Sequence, residues 1–477
     1  MAQRKRVPPA PNSGGVGEEF RKAPARSPLT PPSGAVAPEL GAGGTLLLSL
    51  LILAYLLLAF GYSAVTPAAT ADQHNPDENA HVQYVATLAS GHLPVFTDAA
   101  HGYENHQPPL YYALCAPVYL ATHGRGDAGA TRALRVVSML LGALLILVTY
   151  GTVRRLFPEE PALALGTAAF VALLPGNVAL GASVTNDSLT TLVIALALWQ
   201  LVGLLRTLGP DVPPAVWRRR ALWLGLTLGV GIWTKTLTLS LFPTVLVSLL
   251  WLARTGRVSG AVAAQAAGLA VGLGLLFGAP WLGRNTLLYG DPLAQNLLLN
   301  KLNNGESNVT LDVMAYVFGG IGPYFAKVAQ WGFASFWGGF DSMRLFWDMD
   351  PHKAHPNFGR GPTTTYLALL AVSAVAAVGL VLPRSGSDAA RQPALLALAA
   401  QAVFTGILFL DYNLHFFQAQ GRYLYPALLP LAFFFVWGWR RLVPARAFPV
   451  FLGIMVVGLL GLNAYTIFGL LMPRFAG

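Results

Sequence analysis

The 477-residue sequence has one cysteine, Cys115, and only 11% of its residues are charged. A single cysteine excludes an intrachain disulfide. So few charges, beside 54% hydrophobic residues, exclude an ordinary soluble protein, because many apolar runs are long enough to cross a hydrocarbon core about 30 Å thick. The composition therefore predicts an all-α, polytopic membrane protein whose first partner is the lipid bilayer.

The net charge of +10 would be compatible with a nucleic-acid partner if the basic residues formed one face. Instead they cluster in short segments beside apolar runs, as in Arg154-Arg155 and Arg218-Arg219-Arg220. This pattern is typical of the cytoplasmic loops of a membrane protein. The sequence therefore predicts no nucleic-acid partner.

Eleven apolar segments predict transmembrane helices. They lie at about 44–64, 133–153, 160–176, 188–205, 221–234, 236–253, 259–282, 363–382, 393–411, 423–441 and 447–470. With the N-terminus inside, every predicted inside connection carries arginine, in agreement with the positive-inside rule. Residues 1–43, rich in Pro, Gly and Ala, are predicted to form a disordered basic cytoplasmic tail, and 44–477 a transmembrane domain.

Two long connections, at about 65–132 and 283–362, are predicted to be large external loops. The first contains Leu110–Ala121, which is apolar but too short to cross, so we expect a helix at or dipping into the outer interface. The second is rich in Trp, Phe and Gly and is expected to form interfacial helices over 311–337. One further pair of spans there would preserve the topology.

No lysine or arginine occurs between Arg26 and Arg125, and Asn75-Pro76-Asp77-Glu78 lies in this gap. The gap places an adjacent carboxylate pair at the outer membrane surface. A capping box, with Asn75 as N-cap, would explain Glu78 well and Asp77 less well. We predict a catalytic or metal-binding role for at least one of the pair.

Other polar residues flank predicted helix ends on the same side. Glu104 and His106 precede Pro108-Pro109 and could face a sugar or a phosphate, or belong to a capped interfacial helix. Asp187 enters the span at 188–205 from outside, where a simple N-cap is the alternative to a site residue.

Two basic residues are candidates for binding phosphate. Arg422 opens the span at 423–441 from outside, and a guanidinium can bind phosphate bidentately, although it could also only snorkel to the interface. Lys235, in a short turn between two spans, is a weaker candidate, as is Arg284. Both could be ordinary interfacial cations.

The metal question is left open by the sequence. Six of the nine histidines lie in the first external loop (His74, His81, His92, His101, His106 and His123). They lack the tight spacing of a closed zinc site. A Mg²⁺ or Mn²⁺ ion held by Asp77, with Asp187 on the same face, against a phosphate is physically reasonable.

These elements, in this order, resemble the GT-C superfamily of polyprenyl-phosphate-sugar glycosyltransferases, particularly bacterial members related to protein O-mannosyltransferases and lipid A aminoarabinose transferases. The hallmark of that superfamily is an acidic pair in the first external loop, here Asp77-Glu78. The run Gln107-Pro108-Pro109 is similar to its Pro-Pro segment, although a basic residue often stands at position 107 in the aminoarabinose relatives. Pro175 through Asp187 is similar to its second acidic element.

The resemblance implies a GT-C-like fold and inverting transfer of a sugar from a polyprenyl-phosphate carrier to an acceptor on the external face of the plasma membrane. Asp77 would act as general base on the acceptor hydroxyl. Arg422, helped by Lys235 or Arg284, would stabilise the leaving lipid phosphate. Glu78, Asp187 or Glu104 would hold a metal ion or the sugar.

A transporter or flippase for a lipid-linked or small polar substrate is the alternative. Such a protein is expected to carry ionisable residues near the bilayer midplane. The predicted spans are nearly free of them, and the candidate charges lie at the outer interface. The sequence therefore favours surface chemistry, but identifies neither the sugar nor the acceptor.

Overall fold

The computed structural model describes residues 42–68, 75, 77–97, 102–209, 211–297, 311–338, 363–382, 391–415 and 417–475. These residues are mostly helical and form no strand. Most of the predicted tail, together with His74 and His101, lies outside them. Ala42 and Gly43, assigned to the tail from the sequence, already belong to the first helix.

The helices are α1 (Ala42–Val65), α2 (Glu78–Ala89), α3 (Leu110–Thr122), α4 (Asp127–Leu156), α5 (Pro161–Leu173), α6 (Pro175–Gly181), α7 (Asp187–Leu205), α8 (Pro214–Ile232), α9 (Leu241–Arg254), α10 (Gly260–Ala267), α11 (Leu273–Tyr289), α12 (Leu311–Val317), α13 (Ile321–Trp337), α14 (Thr363–Val381), α15 (Gln392–His415), α16 (Leu428–Leu442), α17 (Phe448–Ala464) and α18 (Met472–Phe475). Two π-helical segments, Gly268–Gly272 and Tyr465–Leu471, join α10 to α11 and α17 to α18. Short 3₁₀ helices span Tyr103–His106, His123–Arg125, Thr236–Ser240 and Gly421–Ala427.

Among the described residues, eight helices are long and apolar enough to cross a membrane, or up to nine if α5 and α6 form one bent span. These two helices meet at 61°, where Pro175 cannot donate the backbone hydrogen bond that a continuous helix needs. All eleven predicted segments are helical, but α8 and α16 do not qualify as spans. A multi-pass membrane protein is therefore confirmed, and the count of eleven is not.

Helix α7 lies at the centre of the bundle and packs against α4, α8 and α15. Its side chains are buried on nearly all sides, as Leu192, Leu198 and Leu201 show, which is expected of a helix surrounded by other helices. By contrast, α1 and α14 expose leucines and valines on their outer faces. The N-terminus of α7 therefore brings Asp187 to the middle of one end of the bundle.

The segment Leu110–Ala121, predicted to be a non-spanning helix, forms α3 (Leu110–Thr122), which has 13 residues. It packs against α2 and α4. The predicted helices over 311–337 are α12 and α13. Both regions lie next to the candidate site described below.

Candidate active site

Asp77 stands at the N-cap of α2 in the left-handed conformation, with φ 57° and ψ 11°. This region is costly for most residues, but aspartate and asparagine tolerate it better than others. The carboxylate does not cap the helix. Instead, Asp77 Oδ2 accepts a hydrogen bond from Arg422 Nη2 at 2.7 Å, while the side chain keeps 15% of its surface exposed.

Arg422 lies in the 3₁₀ helix Gly421–Ala427 and is 5% exposed. Its position depends on Gly421, whose backbone N–H donates to Ser335 Oγ at 2.7 Å. A Cβ at position 421 would lie 2.1 Å from the backbone nitrogen of Phe336, so only glycine permits this approach. Burial opposes the charge of Arg422, but Tyr423 and Asp77 outweigh it and raise the pKa of the guanidinium well above its usual range.

Asp187 is the first residue of α7, and Lys235 lies in the turn after α8. Lys235 Nζ donates to Asp187 Oδ1 at 2.5 Å and to Asn186 Oδ1 at 3.0 Å. Asp187 Oδ2 lies 3.6 Å from Arg422 Nη1 and has no hydrogen-bond partner among the described residues. The alternative of a simple N-cap at Asp187 is wrong: Asn186 occupies the cap position, and it makes no side-chain capping bond.

Asp77, Asp187, Lys235 and Arg422 therefore form one group, here called the charge cluster. Arg422 lies between the carboxylates of Asp77 and Asp187, and Lys235 binds the carboxylate of Asp187. Two negative and two positive side chains give the cluster a formal charge of zero. All four were predicted from the sequence to lie on one side of the membrane.

Glu78 faces away from the charge cluster. Its Oε1 accepts from Arg135 Nε at 2.9 Å and from the Val184 backbone N–H at 2.8 Å. Its Oε2 accepts from Arg135 Nη2 at 2.7 Å and from Asn75 Nδ2 at 2.9 Å. The alternative of a capping box is wrong, because Asn75 donates to the Glu78 carboxylate and Asp77 occupies the cap position. With four donors on its two oxygens, Glu78 is saturated.

Arg135, in the first third of α4, is fully buried. Besides Glu78, it donates to the backbone carbonyls of Ser63 and Thr66 at the end of α1, at 3.0 and 3.2 Å. One guanidinium thus connects α1, α2 and α4. Because Glu78 directly follows Asp77, this connection fixes the start of α2 and with it the position of Asp77.

Glu104 lies in the 3₁₀ helix Tyr103–His106 and is buried, 4% exposed. Its Oε2 has no hydrogen-bond partner among the described residues, and His81 Nδ1 lies 4.0 Å away. Burial, and next the negative charge of Asp77, raise the pKa of Glu104 to about 8. The side chain is therefore mostly neutral at pH 7 and can donate a hydrogen bond.

The histidines near the site are neutral and held by the protein. His81 Nδ1 contacts the hydroxyl of Tyr112 at 2.9 Å, and burial lowers the pKa of His81 well below its usual range. His106 Nδ1 lies 2.9 Å from the Tyr103 carbonyl, and its Nε2 lies 2.9 Å from Gln107 Nε2. Burial lowers the pKa of His106 to about 4, so it presents no cation to a phosphate at pH 7.

The predicted metal ligands, Asp77 and Asp187, do not fit a divalent ion as they stand. Asp77 Oδ2 is bound to Arg422 and Asp187 Oδ1 to Lys235, and Arg422 Nη1 also lies 3.6 Å from Asp187 Oδ2, so both carboxylates already face cations. Within the parts of the chain that the structure describes, no group of three His, Cys, Asp or Glu side chains is arranged around a possible ion.

Sequence reasoning missed Arg135, and it gave Asn186 and Gln420 no part in the site. Gln420 Oε1 accepts from Arg422 Nε at 2.7 Å and so orients the guanidinium. Only Arg135 could have been recognised from the sequence, because an arginine inside an apolar span is normally paired or functional.

Lys235, predicted as a weak candidate, lies within the charge cluster. Arg284 donates to the Pro94 carbonyl at 2.6 Å and takes no part in it.

Comparison with known proteins adds to this geometry. Residues 106–282 match the family model described as dolichyl-phosphate-mannose-protein mannosyltransferase. No curated protein matches the chain. The family match therefore gives no support to the alternative that the protein is a transporter.

Several solved structures share the fold. ArnT from Cupriavidus metallidurans bound to undecaprenyl phosphate has 18% identity and a TM-score of 0.53, with 90% of this chain and 66% of that chain covered. The archaeal oligosaccharyltransferase AglB from Archaeoglobus fulgidus, in complex with an inhibitory peptide and a dolichol-phosphate, has 12% identity and a TM-score of 0.54, covering 90% and 56%. The Archaeoglobus fulgidus enzyme with Zn and sulfate has 14% identity and a TM-score of 0.52, covering 87% and 52%.

This chain spans between about half and two thirds of the length of these proteins. At such low sequence identities the similarity shows a common fold. The part that these proteins share with this chain is the helical bundle. The chain is therefore similar over residues 106–282 to the dolichyl-phosphate-mannose-protein mannosyltransferase family, and over most of its length it shares the fold of these solved structures.

Proposed function

We propose that this protein transfers a sugar from a polyprenyl-phosphate carrier to an acceptor hydroxyl at the external face of the plasma membrane. The observation that carries the proposal is the position of Arg422, whose guanidinium lies 2.7 Å from Asp77 and 3.6 Å from Asp187. Asp77, the proposed base, and Arg422, the proposed phosphate-binding cation, thus lie side by side. The undecaprenyl phosphate and dolichol-phosphate bound in ArnT and AglB support a lipid phosphate as donor.

In this reaction the acceptor oxygen attacks the anomeric carbon of the sugar from the face opposite the phosphate. The bond between that carbon and the phosphate oxygen breaks, and its electron pair leaves with the lipid phosphate. The acceptor proton passes to Asp77, which is the most exposed of the four acidic side chains at the site. Arg422 and Lys235 stabilise the negative charge that develops on the phosphate.

Arg422 couples donor binding to the base. In the structure its Nη2 binds Asp77 Oδ2, so that oxygen already has a partner. A donor phosphate that binds Arg422 would compete for the same N–H groups, since a guanidinium and a phosphate form bidentate pairs. Asp77 would then be free to accept the acceptor proton only when the donor is bound.

The remaining acidic residues receive different roles. We assign Glu78 to positioning Asp77 through Arg135, because its oxygens are fully used. We assign neutral Glu104 to hydrogen bonding with the sugar. No step of the proposed reaction passes through a metal ion, since the carboxylates Asp77 and Asp187 already face cations.

The proposal can be tested with purified full-length protein and a panel of polyprenyl-phosphate-linked sugars. Mass spectrometry would follow release of the free lipid phosphate and the appearance of the sugar on envelope glycans, lipids or peptides. Lipid phosphate released together with a glycosylated acceptor would support transfer. Failure of every donor while each binds the protein would contradict it.

Replacing Arg422 by lysine is expected to lower kcat/KM for the donor about 10²- to 10³-fold, the usual cost of losing one charge-stabilising donor. Lysine keeps the charge, but it cannot span both carboxylates and a phosphate. Steady-state kinetics against donor concentration would measure the loss. The matched control is Arg446→Lys at an exposed arginine, which should retain full activity; equal activity of both variants would contradict the role of Arg422.

The pKa of Glu104 gives a pH dependence. Because its pKa is about 8, the neutral donor form dominates below that pH, and donor affinity should fall as pH rises through it. The fall should approach tenfold per pH unit above pH 8 if only the protonated form binds. In Glu104→Gln, which keeps a hydrogen-bond donor without titrating, KM should stay flat between pH 7 and 9. The same alkaline rise of KM in both proteins would exclude Glu104 as its cause.

A further inference from the structure

A second cluster of charges lies at the opposite end of the bundle. Arg155 lies in the last turn of α4, Arg206 directly follows α7, and Arg220 lies in the second turn of α8. The 19 residues of α7 separate this end from the charge cluster, a distance of about 28 Å at 1.5 Å per residue. We call these three residues the arginine cluster.

No carboxylate in the described part of the chain pairs directly with the arginine cluster, and the more distant Glu159 acts on Arg206 only through its charge. Among the described residues, no Asp or Glu oxygen lies within 4.0 Å of Arg155, Arg206 or Arg220. Burial and the charge of Arg391 lower the pKa of Arg206. Each arginine donates to a backbone carbonyl at the C-terminal part of α4 or α7: Arg155 to Trp199, Arg220 to Gly203 and Arg206 to Arg155.

Capping of helix ends explains each of these bonds separately, because cations are favoured at helix C-termini. It does not explain why two guanidiniums crowd together. A Cβ at Gly203 would lie 2.7 Å from Arg155 Nη1 and 2.6 Å from Arg220 Nη1, so both groups occupy the space left by one missing side chain. Two like charges held this close repel each other, and an anion bound between them would offset that repulsion.

The surroundings favour a lipid as the source of that anion. Arg206 is exposed, and Arg155 and Arg220 are half-buried, so the cluster is open to a ligand. Leu222 and Trp223, which follow Arg220 on α8, are 41% and 59% exposed. Exposed apolar side chains next to arginines at the end of a spanning bundle are typical of the lipid interface. Basic pockets between helices at this depth bind anionic headgroups.

We propose that the arginine cluster binds the phosphate of one anionic phospholipid in the leaflet opposite the charge cluster. The guanidiniums of Arg155 and Arg220 would contact the phosphate, with Arg206 at its outer side. The acyl chains would lie along the exposed face of α8 at Leu222 and Trp223. This site is separate from sugar transfer, so its failure would leave the proposed function untouched.

Native mass spectrometry of the full-length protein with phosphatidylglycerol or phosphatidylcholine tests the site. We expect one retained phosphatidylglycerol on the wild type, no retained phosphatidylcholine, and at least tenfold weaker phosphatidylglycerol retention by Arg155→Gln/Arg220→Gln. If that double variant fails to fold, Arg206→Gln is the milder test, because the Arg206 side chain is exposed. We expect this variant to retain phosphatidylglycerol about threefold more weakly than the wild type. Arg446→Gln, at an exposed arginine outside the cluster, should behave as wild type.

Two results would overturn the proposal. One is equal phosphatidylglycerol retention by the wild type and the folded cluster variants. In that case the arginines would serve only to cap the helix ends. The other is displacement of the lipid by millimolar inorganic phosphate, which would assign the cluster to a soluble anion. Size-exclusion profiles of each variant establish that it is folded.

Discussion

Asp77→Asn is expected to reduce sugar transfer by about 10²- to 10⁴-fold, the usual contribution of a positioned general base. Asparagine tolerates the left-handed backbone of position 77, and its amide oxygen can still accept the hydrogen bond from Arg422. The variant should therefore fold and bind the donor normally. It would lack only a carboxylate that can accept the acceptor proton.

Transfer kinetics over a range of donor concentrations would measure this loss as a fall in kcat, with no rise in the KM for the donor, because the neutral amide competes less than the carboxylate for Arg422. Asp411→Asn is the matched control, because the Asp411 side chain is 62% exposed and only 3.9 Å from His415 at the end of α15. It should keep full activity. An unchanged kcat in Asp77→Asn would contradict the assignment of Asp77 as the base. Asp187 would then be the next candidate.

Glu78→Gln is expected to cost about 3–5 kcal/mol of unfolding free energy, as is usual when one partner of a buried ion pair is removed. Arg135 is fully buried, so losing the Glu78 carboxylate would leave its charge uncompensated. Denaturant unfolding in detergent would measure the loss. Glu159→Gln breaks an exposed pair with Arg391, with Glu159 51% exposed, and should cost only about 0–1 kcal/mol.

A double replacement separates the two parts of this effect. Removing both charges, as in Glu78→Leu/Arg135→Met, should be less destabilising than Glu78→Leu alone, because no buried charge then remains unpaired. Additive losses would show that the two residues act independently. A folded Glu78→Gln whose loss of transfer is clearly smaller than that of Asp77→Asn would support a positioning role, whereas full transfer would contradict it and a loss as large as that of Asp77→Asn would make Glu78 catalytic.

Much of the site was predictable because membrane topology imposes a simple rule. Once the arginine-rich connections are assigned to one side, Asp77, Asp187 and Arg422 must lie on the other. The structure brings the three into contact although up to 345 positions separate them in sequence. The helical segments were predictable for the same reason, since apolar length is easy to recognise.

The pairing of individual charges was not predictable. The pattern at Asn75 to Glu78 favours a capping box, which is a local interaction. In the folded chain Arg135, 57 positions away, binds the Glu78 carboxylate. The buried ion pair therefore takes the carboxylate that a capping box would have used. Which of two adjacent carboxylates faces the cluster depends on this distant contact.

The two cations of the charge cluster have a kinetic consequence. A sugar phosphodiester carries one negative charge, whereas a free monoester phosphate carries about −1.5 to −2 at pH 7. Arg422 and Lys235 would therefore hold the spent carrier more tightly than the loaded one. We expect product inhibition by the lipid phosphate, with turnover limited by its departure into the bilayer rather than by the chemistry.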